Sequence, residues 1–153
     1  MFRNILGRMF GDDPQSDPLD SSDAEVAIAA LMVRLARADD HYGEVERNRI
    51  DQIIARRHGL TTAEAAERRA AAELIEAEAP DTVRFTRQIK DRVALEDRLG
   101  IVTALWETAY ADGNRAAAEE TLVRLVAGLL GVSDRDSGLA RKQVLIDLGI
   151  RDG

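Results

Sequence analysis

Two stretches of this chain share one pattern, and that pattern limits the fold more than any other feature. Ala38-Asp39-Asp40-His41-Tyr42-Gly43-Glu44-Val45-Glu46 and Ala111-Asp112-Gly113-Asn114-Arg115-Ala116-Ala117-Ala118-Glu119 both read Ala-Asp, a short polar turn, then a Glu seven residues after the Asp. Each lies between runs of good helix formers. Laying residues 26–54 over 99–127 pairs Ile28 with Ile101, Ala36 with Ala109, Ala38 with Ala111, Asp39 with Asp112 and Glu46 with Glu119. Ile50 with Val123 and Ile53 with Val126 are conservative pairs. After one deletion in the second copy, both copies end in Gly, an aliphatic residue and a hydroxyl cap: Gly59-Leu60-Thr61 and Gly131-Val132-Ser133. A duplicated helix–turn–helix unit explains this economically. It predicts a bundle with an internal pseudo-two-fold repeat and two acidic turns in related positions.

Strand formers are scattered and never alternate, and aromatic residues are only 4% of the chain. The fold class expected is therefore all-α, a single-domain bundle of about seven to eight helices. The 153 residues hold no Cys, which removes disulfides, thiolate chemistry and Cys-based zinc sites. A formal charge of −7 argues against nucleic acid as a partner. A local basic cluster, Arg84, Arg87, Lys90 and Arg92, has helical spacing and reads first as a solvated face.

In chain order, residues 1–10 place Phe2, Ile5, Leu6, Met9 and Phe10 on one stripe of a short amphipathic helix. It is too short to cross a bilayer, which takes about 20 apolar residues. It reads as a docking helix for the body or a second subunit, so a homodimer is one outcome, and as a weak interfacial membrane contact in the alternative. Residues 11–21, with two Pro and several Asp and Ser, form a flexible linker. The body spans 22–150. It opens on a capping-box pattern at Ser22-Asp23-Ala24-Glu25, and its first helix shows an apolar face of Ala24, Ile28, Leu31, Met32, Leu35 and Ala38. A helix carrying Val45, Ile50, Ile53 and Ile54 ends at Gly59. Thr61 with Glu64 caps an Ala-rich helix that Pro80 stops, and Asp81 caps the next, with Val83, Thr86 and Ile89 inward. A break falls near 93–96. Then Leu99, Val102, Trp106 and Ala109 line one side of a long helix. Leu122, Val123, Leu125, Val126, Leu129 and Leu130 make the most apolar helix, and Ser133 caps a last one with Leu139, Val144, Leu145 and Leu148.

With Ala111-Asp112-Gly113 and Glu119, Ala38-Asp39 and Glu46, and the helix spacing between them, the chain resembles the TerB-like family of tellurite-resistance proteins over roughly residues 22–148. A helical domain of this kind also occurs at the N-terminus of the co-chaperone DjlA. The resemblance implies an all-helical, non-enzymatic bacterial module of tellurite resistance or stress response, with divalent-metal or partner binding at acidic residues. The first turn departs from the pattern, since Asp40-His41-Tyr42-Gly43 replaces the usual Asp-Gly start.

The carboxylates have two readings. As turn formers, Asp39 and Asp112 bond nearby backbone amides, and Glu46 and Glu119 suit the positive ends of the helices they open. As a site, Asp39, Asp40, Glu44 and Glu46 join Asp112, Glu119 and Glu120 in one anionic patch. The metal-ligand candidates are Asp39, Asp40, Glu46, Asp112 and Glu119. No motif demands a cofactor, and the ligand these oxygens suit is a divalent cation, Ca²⁺ or Mg²⁺, with a basic protein partner as the other class. An EF-hand is excluded, because its loop runs twelve residues with Gly at the sixth. His41 reads as a solvent-facing loop residue, His58 as a cationic ring suited to a helix C-terminus, and Trp106 and Tyr110 as core. Phosphate loop, dinucleotide fingerprint, nucleophile elbow and paired metal-spaced His are all missing, so an enzyme is not expected. The location expected is cytoplasmic. The alternative function is a membrane-peripheral scaffold or co-chaperone-type module tethered by residues 1–10.

Overall fold

The computed structural model describes residues 21–38, 42–79, 81–113 and 116–150. Residues 1–10, most of the linker, and Asp39, Asp40 and His41 lie outside them. The described residues form seven helices and no strand: α1 (Ser21–Arg37), α2 (Glu44–His58), α3 (Thr62–Glu78), α4 (Thr82–Lys90), α5 (Leu95–Ala109), α6 (Ala117–Leu129) and α7 (Asp134–Leu148). Both expected helix–turn–helix segments are present, as α1–turn–α2 and α5–turn–α6. The two-fold axis relating them stays an expectation of the sequence.

The core is built around α1. Its sequence has no Gly or Pro, and its Ala and Leu residues favour helix. Instead of one apolar face it buries its whole circumference: Val26, Ala27, Ala29, Ala30, Leu31, Met32, Val33 and Leu35 are all in the core. A helix apolar all round must be enclosed, and α1 packs against α2, α3, α5 and α6. Small Ala residues permit the close approach to α3. Ser22 falls inside α1, which is described from Ser21 onward, so the helix is under way before the expected N-cap position. Glu25 instead accepts from Arg68 Nε of α3 at 2.7 Å.

Other ends follow local chemistry. Gly59 has φ 64 and lets the Leu60 N–H reach Ala55 O at 3.0 Å, closing α2. Thr61 Oγ1 accepts from the Glu64 N–H, and the Glu64 carboxylate accepts from the Thr61 N–H. Asp81 Oδ1 accepts from the Arg84 N–H, and Ser133 Oγ from the Asp136 N–H. The break before α5 is held by Arg98, which donates to the carbonyls of Val93 and Lys90. Trp106 and Tyr110 stack at 5.6 Å between centroids, and Trp106 Nε1 donates to Ser137 Oγ of α7.

Several aliphatic residues expected inside are exposed. Leu99 leaves the side of α5 it was assigned to, because the buried arc there is Ile101, Val102, Ala104, Leu105, Trp106 and Thr108. Leu95 and Leu99, one turn apart, face outward instead. Val45, Leu125, Leu139 and Leu148 are also exposed. Replacing Trp106 with Ala is therefore expected to destabilise the fold by about 3–5 kcal/mol, whereas Leu99→Ala costs under about 1 kcal/mol. Chemical unfolding of both variants checks this contrast.

Candidate functional site

The first turn begins where the Ala38 N–H bonds to Leu35 O at the end of α1. It resumes at Tyr42. Arg37, from the end of α1, stacks on the Tyr42 ring at 4.7 Å, and Arg47, from the start of α2, approaches it at 5.9 Å. Such cation–π contacts join the two flanking helices across the turn. Burial first, then the nearby Glu73 carboxylate, holds the Tyr42 phenol protonated well above its usual range. Below it, Arg69 of α3 forks onto the buried Asp51 of α2 at 2.9 and 3.2 Å and also reaches Glu73 at 2.8 Å. Gly43 is the N-cap of α2, and its N–H donates to Glu46 Oε2 at 2.8 Å. Glu46 thus performs the capping role expected of it.

The second turn is tied differently. The Tyr110 hydroxyl donates to Glu120 Oε2 at 2.6 Å, and Arg141 Nε of α7 donates to the same hydroxyl at 3.0 Å. Burial and the Glu120 carboxylate raise the Tyr110 pKa, and Arg141 opposes them. Gly113 closes the turn with its N–H on Tyr110 O at 2.9 Å. Its φ of 80 lies in the left-handed region, where a side chain would be strained. In the sequence alignment of the two copies, Arg37 and Arg47 fall opposite Tyr110 and Glu120. The same two positions bind the helix ends together, by stacking in one copy and by a buried hydrogen bond in the other.

One cleft joins the two turns. It encloses about 250 Å³. Its floor is small and apolar: Ala36 from α1, Ile50 from α2, and Ala109 and Ala111 at the end of α5. Its polar wall is Glu46 and Arg49 of α2, Asp112 of the second turn and Glu119 of α6. So the structure brings Glu46, Asp112 and Glu119 to one place. Glu119 is buried and Asp112 exposed, and each of the three carboxylates already has at least one partner. Glu44 is exposed and does not line the cleft, and Glu120 turns to Tyr110. Among the described residues, no group of three or more His, Asp or Glu side chains is arranged to hold a metal ion. Asp39, Asp40 and His41 lie outside the described residues.

Sequence reasoning missed Arg49 and the Tyr110–Glu120–Arg141 set. Arg49 follows Glu46 by three residues, so a helical wheel places both on one side. Arg141 is far from the turn in sequence, and no local pattern points to it.

His58 departs from expectation. It is half-buried, with Nδ1 3.4 Å from Glu25 Oε1, at the edge of a second cleft between α1, α2 and α5. Burial, together with Arg57 and Arg68, lowers its pKa against the pull of Glu25, so the ring is neutral near pH 7 and not cationic. A group with a lowered folded pKa favours folding while it is neutral in both states. That contribution is lost as pH falls from the unfolded value, about 6.5, through the folded one. Wild-type stability is expected to fall as pH is lowered from 7 towards 5, and His58→Gln should remove part of that slope in unfolding titrations.

No helix among the described residues is long and apolar enough to cross a membrane. Comparison with curated proteins and with solved structures yields no match. The sequence profile described as Tellurite resistance protein TerB matches residues 25–142. That span runs from the second turn of α1 into α7 and contains both interhelical turns and every described residue of the cleft. With most of its length covered, turns and cleft included, the chain belongs to the TerB family of tellurite resistance proteins.

Proposed function

We propose that this TerB-family protein is a non-enzymatic module of a bacterial tellurite or stress response, and that the cleft between its turns binds a divalent cation, Ca²⁺ or Mg²⁺. The observation that carries the reading is the convergence of Glu46, Asp112 and Glu119 on one cleft from three separate segments. A carboxylate offers about four lone-pair positions, so a single capping bond such as Gly43 N–H to Glu46 Oε2 does not use all of its acceptor capacity. Hard cations take oxygen ligands, and carboxylates grouped at a surface supply the charge. Asp39 and Asp40 precede Glu46 by seven and six residues in sequence and complete the set of ligand candidates. The reading assigns the cleft no catalytic step.

Titration calorimetry with Ca²⁺ and Mg²⁺ tests the proposal. Wild type should bind at least one of the two, and an Asp112→Asn/Glu119→Gln variant, shown folded by circular dichroism, should bind about tenfold or more weakly. Heat from neither ion, or affinity unchanged in the double variant, contradicts it.

A further inference from the structure

One side of α1 is buried with no described helix packed closely over it. Asp23, Ala27, Ala30 and Arg34 follow one another at helical spacing. Asp23 is 4% exposed, and Ala27 and Ala30 are fully enclosed. The close neighbours of α1 take its other sides. Glu25 faces α3 through Arg68, Ala24, Ile28 and Met32 line a cleft with α2 and α5, and Leu31 and Leu35 line a small cavity with α6. At the far end of the stripe, Arg34 lies over the Phe85 ring of α4 at 5.4 Å and pairs with Glu76 of α3. Helices α3 and α4 thus flank the stripe, and neither packs closely on the other. Two small alanines between flanking helices make a groove, and their full enclosure requires an occupant.

Residues 1–10 fit that groove in polarity, length, reach and charge. Phe2, Ile5, Leu6, Met9 and Phe10 supply one apolar stripe. A helix of that length is about 15 Å long, and the run from Asp23 to Arg34 is about 16 Å. Residues 11–20 can span up to about 33 Å and lead directly into Ser21, so the segment can fold back along α1. A buried carboxylate needs a paired or hydrogen-bonded partner, and Asp23 is engaged. Arg68 and His58, cations that reach the same end of α1, turn to Glu25. Arg8 lies at the end of the segment that a returning linker brings back to the start of α1.

We propose that residues 1–10 dock as a helix of their own chain in the groove that α3 and α4 make over α1. The docked helix runs antiparallel to α1, with Arg8 against Asp23 and Phe2 towards Phe85. Its apolar stripe is hidden there, so neither a second subunit nor a bilayer is its seat. The proposal is independent of the cation reading of the acidic cleft.

The chain has no Cys, so a nitroxide attached to the full chain through Asn4→Cys, on the polar side of the segment, reports its position alone. Backbone amides around Arg34 and Phe85 should broaden more than those of Asp134 to Leu148. Mixing nitroxide-bearing chain with isotope-labelled chain that carries no nitroxide should broaden neither region. Broadening centred elsewhere, or carried between chains in the mixture, overturns the proposal. In the full chain, Arg8→Gln and Asp23→Asn should each lower the thermal unfolding midpoint, and the double variant should lower it by less than the sum. Additive effects overturn the antiparallel docking. With vesicles of phosphatidylcholine and phosphatidylglycerol the full chain should stay in the lipid-free fraction, whereas flotation that Ile5→Asp abolishes assigns the stripe to the bilayer and overturns the proposal.

Discussion

Enclosure of α1 is the constraint on which the rest of the structure depends. Val26, Ala27, Ala29, Ala30, Leu31, Met32, Val33 and Leu35 cover every side of that helix, so no arrangement that leaves one side wet is stable. Helices α2, α3, α5 and α6 close around it. The same packing brings the C-terminal ends of α1 and α5 together, since Ala36 and Ala109 line one cleft. The turns that follow those ends are then neighbours. The acidic cleft is a consequence of burying α1, and its position does not require the carboxylates to attract one another.

The two turns are held by different forces of comparable reach. In the first, Arg37 and Arg47 both approach the Tyr42 ring, and the Asp51–Arg69–Glu73 network fastens α2 to α3. In the second, a Tyr110–Glu120 hydrogen bond with Arg141 closes the turn inside the protein. Buried polar sets of this kind are costly unless satisfied, and they then fix one geometry. Turning Glu120 inward fixes the start of α6, and Glu119 beside it lines the cleft. An aromatic residue and a charged pair thus control where the cleft carboxylates stand, without lining the cleft themselves.

Much of the fold was legible because its punctuation is local. Gly59, Thr61 with Glu64, Asp81, Gly131 and Ser133 mark helix ends through bonds within three to five residues, and each acts as its sequence suggests. The paired alanines were legible as a pattern but not as a place: Ala36 and Ala109 both line the cleft. What could not be read depends on tertiary packing. An apolar stripe does not say which of its edges will be covered, so Leu99, Leu125 and Leu139 were placed inside and lie outside. His58 looked like a helix-end cation until burial and two arginines made the neutral ring favourable. Arg49 carries no signal in the sequence, and its place in the cleft with Asp112 and Glu119 comes only from tertiary packing.

The central claim is that the two turns make one site. Paramagnetic broadening by Mn²⁺ tests it directly, because the effect reports distance to a single bound ion. The account predicts that, at substoichiometric Mn²⁺, backbone amides of Gly43 to Arg49, of Ala111 to Gly113 and of Glu119 broaden together and with one concentration dependence. Broadening confined to one turn, or appearing at the two turns with different concentration dependences, would contradict it.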